Sequence, residues 1–471
     1  MSSPTAIVAP PRLPVSPALD VLRREEFARL DAAGEVYVDY TGGSLYAASQ
    51  VERHAELLRS GVFGNPHSLN PSSERATELV EGARARVLEF FRADPAEYVA
   101  IFTANASQAL KLVGESYPFE PGDRFLLTYD NHNSVNGIRE FDRLHGAETT
   151  YVPLGPDLRV EDATVARELA RGPAAAGGPR HGLFAYPAQS NFSGVQHPLE
   201  WVGRAQELGW DVLLDAAAFV PTNRLDLSRV HPDFVCLSFY KMFGYPTGVG
   251  ALLARRQALA KLHRPWFAGG TITVASVQAD RHLLAPGAAA FEDGTLDYLG
   301  VPAIRYGLEL LDAVGVEALH ERVVALTGRL IAALAGLRHG NGAPVARIFG
   351  PLDVARRGGT VALNFYRADG RLIDHREIEA SAAVRRISLR TGCFCNPGAG
   401  ETALGLSRAE IERCFPGGGT GDTLGGGFEH FRQCLNPQQG TGAVRISFGL
   451  ASNEADLAAV LAFAQSLAEA D

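Results

Sequence analysis

Short apolar runs alternate with helical patterns over the first two thirds of the chain, and this alternation constrains the fold more than any other feature. The runs lie at residues 99–103, 124–128, 183–186, 212–215, 234–238 and 250–254. Helical patterns at 107–115 and 198–208 separate some of them. Strands that alternate with helices form a mostly parallel sheet with helices on both faces. The sequence therefore predicts an α/β large domain built on a mostly parallel sheet.

The last third of the chain has a different pattern. A long helical pattern covers 303–337, and predicted strands at 359–365 and 443–448 precede a helix at 454–469. We therefore predict an N-terminal arm (1–35, flexible over 1–17), a large domain (36–302) and a small α+β C-terminal domain (303–471). The length of 471 residues fits one large core and one smaller one. Glycine-rich stretches at 171–180 and 417–427 predict a linker and a mobile loop.

Composition excludes several classes of partner. A net charge of −9 without a basic block argues against nucleic acid. No apolar stretch approaches the roughly 20 residues that span a bilayer, so no membrane association is expected. The N-terminus lacks a secretion-signal pattern. Five cysteines are too few for a disulfide scaffold, so we expect reduced thiols, a cytoplasmic location and an inert core thiol at Cys236.

Lys241 is the residue that points most directly to chemistry. It follows the apolar run 234–237 and precedes a turn rich in glycine and proline. A desolvated amine there suits a Schiff base with an aldehyde cofactor. Asp215 ends another apolar run, and pyridoxal 5′-phosphate needs both a lysine for its aldehyde and an acid for its ring nitrogen. A strand-end lysine and a helix-capping aspartate remain the alternative interpretation of these two residues.

Four further groups follow predicted strands, and in an open α/β sheet the carboxyl ends of the strands meet at one crevice. Small residues at a helix N-terminus leave backbone N–H groups free for an anion, and a histidine can stack on a planar ring. The candidates are Ala106 and Ser107 for a phosphate, His132 for the ring, Asn191 for a phenolate oxygen and Ser238 for the phosphate. An ordinary helix cap, a solvated histidine and a turn asparagine are the structural alternatives.

With these residues assembled, the chain resembles the class V, fold-type I pyridoxal-phosphate enzymes of the cysteine desulfurase branch. Within that branch it is most similar to the N-terminal domain of the molybdenum cofactor sulfurases, and no counterpart of their C-terminal domain is expected. The stretches that carry the resemblance are FTANASQALKLV (102–113), DNHNSVNGIRE (130–140), YPAQSNFSG (186–194), LLDAAAFVPT (213–222), SFYKMFGYPTGVGALL (238–253), LRTGCFCNPGA (389–399) and TGAVRISFG (441–449).

The resemblance implies a role for each cofactor residue. Lys241 is expected to carry the cofactor as a Schiff base, and Asp215 to pair with the ring nitrogen. His132 would stack on the ring and take part in catalysis, and Asn191 would bond the phenolic oxygen. Ala106, Ser107 and Ser238 would hold the phosphate. Thr295 matches a position that reaches the phosphate of a neighbouring subunit, which implies a homodimer.

The resemblance also assigns the substrate and the sulfur carrier. Arg445 matches the arginine that clamps the substrate carboxylate, and Arg390 is expected to line the same pocket. Cys395 matches the sulfur-accepting cysteine. Cys393 lies two residues away, so either thiol could carry the sulfur. Half of a metal site or an inert loop thiol are the other interpretations of Cys395, although Cys-x-Cys without a second pair is poor zinc spacing.

Two departures from ordinary cysteine desulfurases are Ala218, in place of a glutamine, and Tyr240, in place of a histidine before the lysine. Both fit the molybdenum cofactor sulfurase pattern. The implied reaction converts L-cysteine, through a cofactor ketimine, to alanine and an enzyme persulfide whose sulfur passes to an unidentified acceptor. The alternatives are a pyridoxal-phosphate-dependent C–S lyase or sulfur donor that needs no persulfide, and a non-catalytic scaffold.

Overall fold

A computed structural model describes residues 16–174, 181–415, 427–435 and 440–469. The strands are β1 (Val36–Tyr37), β2 (Tyr98–Thr103), β3 (Arg124–Thr128), β4 (Glu148–Val152), β5 (Gly182–Pro187), β6 (Asp211–Asp215), β7 (Phe234–Ser238), β8 (Gly250–Arg255), β9 (Ile272–Ser276), β10 (Arg281–Leu284), β11 (Ala346–Phe349), β12 (Thr360–Phe365), β13 (Ile387–Ser388), β14 (Arg390–Gly392) and β15 (Ala443–Ser447). 

The helices are α1 (Pro17–Glu26), α2 (Ala28–Ala33), α3 (Ala48–Ser60), α4 (Pro71–Phe90), α5 (Ala106–Ser116), α6 (Asn133–Asn136), α7 (Arg139–Leu144), α8 (Asp162–Leu169), α9 (Trp201–Glu207), α10 (Phe239–Phe243), α11 (Arg256–Leu259), α12 (Ile304–Val314), α13 (Val316–Gly336), α14 (His375–Val384), α15 (Pro397–Leu404), α16 (Arg408–Cys414), α17 (Gly427–Cys434) and α18 (Glu454–Glu469). Short 3-10 helices cover Gly287–Phe291 and Val301–Ala303.

The large sheet has seven strands in the order β2-β8-β7-β6-β5-β3-β4. The strands from β4 to β7 pair in parallel, and β8 runs antiparallel to both β7 and β2. Alternate residues of β6 belong to different core clusters, with Leu213 on one face and Leu214 on the other. Burial on both faces explains why these strands are continuously apolar in sequence. The predicted α/β class and mostly parallel sheet are confirmed.

The C-terminal third forms a four-stranded antiparallel sheet in the order β11-β12-β15-β14. Helix α13 packs on β11, β12 and α18. The helical pattern predicted over 303–337 is confirmed, as two helices, α12 and α13, that are separated at Gly315. Gly315 has a φ of +84°, a conformation that L side chains rarely adopt. The boundary between the two predicted domains stays a prediction.

The residues before the large sheet are packed rather than loose. Leu19, Leu22 and Phe27 of the α1–α2 region are buried in the main core. Arg23 forms an ion pair with Asp456 in α18 at 3.2 Å. Most of the segment predicted to be flexible, residues 1–15, lies outside the described residues. Strand β1 pairs in parallel with β13, which ties the following segment to the C-terminal third.

Cys414 and Cys434 form a disulfide, so the expectation of reduced thiols is wrong for these two residues. Helices α16 and α17 pack together, and the rings of Phe415 and Phe431 lie 5.4 Å apart. Composition could not predict this pairing, because it depends on tertiary packing across 20 residues. Of the two predicted glycine-rich segments, 175–180 and 416–426 lie outside the described residues. No helix in the described ranges has the length and apolarity to cross a membrane.

Candidate active site

A cavity of about 370 Å³ opens where β5, β6 and β7 end. It brings together seven residues that the sequence predicts for one cofactor. They are Ala106, Ser107, His132, Asn191, Asp215, Ser238 and Lys241. Parallel strands place their carboxyl ends on one edge of a sheet, which is why residues far apart in sequence converge here.

Lys241 lies on the short helix α10, three residues after the end of β7. Burial is the main cause that lowers the pKa of its amine, and Arg445 adds to that effect, while Asp215 opposes it. Helix α10 ends at Gly244 with a φ of +80°. A Cβ there would lie 2.3 Å from the backbone nitrogen of Tyr46, so only glycine allows this approach. The lowered pKa of Lys241 favours the neutral, nucleophilic form of its amine.

Asp215 ends β6 and is 8% exposed. Its Oδ1 accepts a hydrogen bond from the Ala217 backbone N–H at 3.0 Å. Its Oδ2 has no hydrogen-bond donor in the described part of the chain. A carboxylate oxygen that faces the cavity in this way can accept a hydrogen bond from a protonated ring nitrogen.

The N-terminus of α5 forms another wall of the cavity. Asn105 caps the helix by accepting from the Gln108 N–H at 3.0 Å, and the Ala106 N–H donates to Ser238 Oγ at 3.2 Å. The hydroxyl of Ser107 lies 2.6 Å from that of Ser134. A helix N-terminus with two serine hydroxyls suits an anionic group such as phosphate. Strand β8 can approach this helix closely because residue 250 is a glycine. A Cβ at Gly250 would lie 2.6 Å from the Asn105 carbonyl carbon.

His132 lines the cavity just before α6. Its Nδ1 accepts a hydrogen bond from the Ser134 backbone N–H at 3.1 Å. Burial is the main cause that lowers the pKa of His132, so the neutral imidazole is favoured. With Nδ1 as acceptor, the proton of the neutral ring is on Nε2. His132 can therefore donate from Nε2 or stack on a planar group.

Asn191 connects the cavity to the loop that contains the two candidate cysteines. Its Nδ2 donates to the Phe394 carbonyl at 2.7 Å, and its Oδ1 accepts from Asn396 Nδ2 at 2.8 Å. Asn396 Nδ2 also donates to the Asp130 carbonyl at 2.7 Å. The second N–H of the Asn191 amide has no acceptor among the described residues, so it can donate to a phenolic oxygen in the cavity.

Cys393 and Cys395 are both exposed free thiols. The Cys395 carbonyl accepts from the Asn133 N–H at 2.7 Å, so this cysteine is tied to the residue after His132. Phe394 and Cys395 have positive φ angles of 56° and 55°. No group of three or more His, Cys, Asp or Glu side chains with metal-binding geometry occurs in the ranges that the structure covers. Cys395 is thus next to the cavity through its backbone, and its thiol is accessible.

Arg445 and Arg390 are not among the residues that line the cavity, but both are close enough to Lys241 for their charges to lower the pKa of its amine. They face each other across β14 and β15, and both bind Asp39. Arg445 is buried, and its Nη1 donates to the Asn191 carbonyl at 3.0 Å. Asp39 was missed by the sequence analysis, although it follows an apolar run in the same way as Asp215 does. Asn396 was also missed, and nothing in its local sequence distinguishes it from a helix cap.

Thr295 lies outside the cavity and is exposed. Its hydroxyl accepts from Asn65 Nδ2 at 3.5 Å. Ala218 and Tyr240, the two departures from ordinary cysteine desulfurases, do line the cavity. Burial raises the pKa of the Tyr240 phenol.

The residues around the cavity fit pyridoxal phosphate. The volume lies in the range of about 300–1,000 Å³ for small-molecule sites. One wall supplies a nucleophilic amine, another an acceptor for a ring N–H, and a third an anion site at a helix N-terminus. Within the described ranges, Asp215 Oδ2 and one N–H of Asn191 have no protein partner, and this cofactor would satisfy both.

The aminotransferase class-V family matches residues 36–460. The chain is 38% identical to the molybdenum cofactor sulfurase of Bos taurus, over 94% of this chain and 51% of that protein. It is 37% identical to that of Arabidopsis thaliana, over 92% of this chain and 56% of that protein. The chain thus spans about half the length of the curated relatives it matches.

Solved structures share the fold. A cysteine desulfurase from Thermococcus onnurineus NA1 superposes with a TM-score of 0.78 at 22% identity, covering 98% of this chain and all of that one. The cysteine desulfurase CsdA from Escherichia coli superposes with a TM-score of 0.73 at 20% identity, covering 96% and 98% of the two chains.

Proposed function

The chain belongs to the aminotransferase class-V family, and from that premise we propose that it is a pyridoxal-phosphate-dependent sulfurtransferase acting on L-cysteine. One observation carries the proposal. The cavity that contains Lys241 and Asp215 is hydrogen-bonded, through Asn191 and Asn396, to the loop that presents Cys395. A cofactor site and an accessible thiol are therefore parts of one structure.

The cofactor, when bound, supplies an electron sink for the bonds around the substrate α-carbon. Lys241 would hold it through the ε-amine, and Asp215 would keep its ring nitrogen protonated. The helix α5 N-terminus, with Ser107 and Ser238, would bind the phosphate, and His132 would lie against the ring.

Arg445 would bind the carboxylate of the amino acid, because a guanidinium matches a carboxylate in geometry and charge. Lys241 Nζ, released when the substrate amine takes its place on the cofactor, would then remove the proton from the substrate α-carbon. Its lowered pKa supports this role, because a base must be neutral to accept a proton.

Cys395 would receive the sulfur. Its thiolate attacks the sulfur of L-cysteine, so that an S–S bond forms and the Cβ–S bond of the substrate breaks. The electron pair of the broken bond would stay with the substrate Cβ, which would take a proton, and the α-carbon would regain the proton that Lys241 removed. Alanine would then leave, and the thiol proton of L-cysteine would remain on the outer sulfur of the Cys395 persulfide. The sulfur then passes to an acceptor. The relatives are molybdenum cofactor sulfurases, so a molybdenum cofactor is the first acceptor to test.

Labelled L-cysteine tests the proposal directly. The holoenzyme is incubated with ³⁴S-L-cysteine, and the peptide with Cys393 and Cys395 is examined by mass spectrometry for one added sulfur. We expect the label in the parent and in Cys393→Ser, and its loss in Cys395→Ser. Buried Cys236 is the control thiol and should carry none. If Cys395→Ser converts L-cysteine to sulfide, pyruvate and ammonia at the rate of the parent, the C–S lyase alternative replaces the proposal.

We also propose that the chain acts as a homodimer. The β9–β10 hairpin presents Val277, which is 99% exposed, and Leu283, which is 64% exposed. Trp266 nearby in sequence is 60% exposed. Large apolar side chains exposed in this way are typical of an interface. The molar mass from light scattering, measured for the parent and for Val277→Asp, tests the proposal. A parent with the molar mass of a monomer contradicts it. The cytoplasm is the proposed location, because a persulfide-carrying thiol must be kept reduced, although a disulfide such as Cys414–Cys434 is rare in that compartment.

A further inference from the structure

One carboxylate is shared between two arginines beside the proposed site. Asp39 Oδ1 accepts from Arg445 Nη2 at 3.0 Å. Asp39 Oδ2 accepts from Arg390 Nε at 2.8 Å and is 2.7 Å from Arg390 Nη2. The two arginines are direct cross-strand partners in β14 and β15. Two positive charges therefore meet one negative charge, and the group has a net charge of about +1 by simple counting of ordinary ionisation states.

The two arginines differ in environment. The Arg445 side chain is 3% exposed, and the Arg390 side chain is 52% exposed. The Nε of Arg445 has no hydrogen-bond partner among the described residues, and its guanidinium lies 4.6 Å from the centre of the Phe394 ring. Arg445 is thus a buried cation that the protein neutralises only in part.

The position of Asp39 is fixed by its own turn. A Cβ at Gly42 would lie 2.5 Å from Asp39 Oδ2, so the turn closes around the carboxylate. The Thr41 N–H donates to Ser447 Oγ at 2.9 Å, which attaches the turn to β15. Asp39 is therefore held between the two arginines. How many carboxylate oxygens each arginine binds depends on the competition between them.

We propose that Arg390, by binding Asp39, limits how far Asp39 neutralises the positive charge of Arg445. Because Arg390 binds Oδ2 with two nitrogens, Asp39 gives Arg445 a single oxygen instead of a two-oxygen ion pair, which is the stronger arrangement. Arg445 then keeps the capacity to bind the carboxylate of an amino acid. Arg390 is on this account a positioning residue that does not touch the substrate. The inference rests on the proposed function, in which Arg445 binds that carboxylate.

Removal of Arg390 changes the competition in a defined direction. In Arg390→Gln, both oxygens of Asp39 become free to pair with Arg445, and the pair is neutral before any substrate arrives. A substrate carboxylate must then displace Asp39 from a buried guanidinium. In the double variant Arg390→Gln with Asp39→Asn, that competing carboxylate is absent, so binding should recover.

Two matched ligands test the inference on the holoenzyme by calorimetric titration. L-alanine carries the carboxylate, and ethylamine is the same molecule without it. We expect Arg390→Gln to weaken L-alanine binding about tenfold, equivalent to ~1.4 kcal/mol, and to leave ethylamine binding unchanged. Arg390→Lys should restore most of the loss. The KM for L-cysteine should rise in Arg390→Gln while kcat stays within about twofold, because ground-state and transition-state binding weaken together.

The outcomes separate the inference from the proposed function. If the parent forms no persulfide from L-cysteine, the proposed function fails. If the parent forms it but Arg390→Gln binds L-alanine as tightly as the parent, the inference is wrong. It is also wrong if the double variant folds and shows no recovery. If the double variant does not fold, the comparison of Arg390→Gln with Arg390→Lys decides, since Arg390 is half-exposed and both variants keep Asp39.

Discussion

The side-chain amide of Asn396 donates to the side-chain oxygen of Asn191 at 2.8 Å, and this bond connects the cysteine loop to the wall of the cofactor cavity. Both residues are buried, and Asn396 has no exposed surface. The same Asn396 nitrogen donates to the Asp130 carbonyl, next to the segment of His132. This buried amide thus acts with the Asn191–Phe394 and Asn133–Cys395 hydrogen bonds to hold the proposed sulfur carrier beside the cavity.

Asn396→Ala should reduce sulfur transfer without preventing cofactor binding. The substitution leaves the Asn191 oxygen and the Asp130 carbonyl without this donor, which costs about 1–3 kcal/mol for a buried unsatisfied group. We expect persulfide formation on Cys395 to fall about tenfold or more, while the visible absorbance of the bound cofactor is retained. Thr402→Ala, which removes a bond to the Gly398 carbonyl in the next helix, is the control. Equal rates in Asn396→Ala and the parent would show that the loop does not need this bond.

Asp215→Asn should separate cofactor binding from turnover. The amide keeps the shape of the side chain and an oxygen for the Ala217 N–H, but it cannot hold a positive charge on a ring nitrogen. We expect the cofactor to bind and the rate of alanine formation to fall by about 100-fold or more. Asp211→Asn, at the opposite end of β6, is the matched control and should lower stability only, through the loss of charge beside Lys261. Retention of parental turnover in Asp215→Asn would contradict the role of this carboxylate.

Much of the fold was predictable because the large sheet is buried on both faces. Continuous apolar runs then mark the strands, and β3 and β7 have the bounds that the sequence predicted. The edge strand β4 was missed because its residues are polar and only partly buried. The β9–β10 hairpin was missed for a different reason: its strands are short and largely exposed, so their apolar side chains are not part of the core packing that produces a recognisable strand pattern.

The cavity was predictable, and the connections around it were not. Lys241 and Asp215 follow strands that end at the same edge of the sheet, so sequence order alone brings them together. The bond between Asn191 and Asn396 joins residues 205 positions apart, and Asp39 reaches Arg445 across 406 positions. Such contacts depend on how the C-terminal sheet packs against the large one, which local sequence patterns do not encode.

Asp142→Asn should stabilise the protein above pH 6. Asp142 is buried in α7, its Oδ2 accepts from Thr149 Oγ1 at 2.6 Å, and its Oδ1 has no partner within the described residues. Burial raises the pKa of Asp142 to about 6, above the value of about 3.9 in an unfolded chain. Between these values the folded state binds more protons than the unfolded state, so this group makes the free energy of unfolding fall as pH rises.

The asparagine cannot ionise, so the substitution removes the loss of stability that ionisation of Asp142 causes. We expect Asp142→Asn to raise the melting temperature at pH 7.5, with the gain shrinking as pH falls below 6 and lost near pH 4. Asp162→Asn is the opposite control, because hydrogen bonds from Arg204 and Trp201 lower the pKa of Asp162. Loss of the Asp162 carboxylate should destabilise the protein at pH 7.5. A gain for Asp142→Asn that is the same at pH 4 and pH 7.5 would exclude the ionisation argument.

Attachment of the cofactor to the apoprotein should show the lowered pKa of Lys241. Only the neutral amine attacks an aldehyde, so the attachment rate rises with pH until the amine is fully deprotonated. Because burial lowers the pKa of Lys241 below the ordinary 10.5, the midpoint of this rise should fall below pH 10.5. The measurement is the rate of absorbance change on mixing apoprotein with cofactor at a series of pH values. Reductive trapping with borohydride and peptide mapping at pH 8 should place the label on Lys241 and not on exposed Lys111. A midpoint at or above 10.5, or equal labelling of the two lysines, would mean that the cavity does not activate this amine.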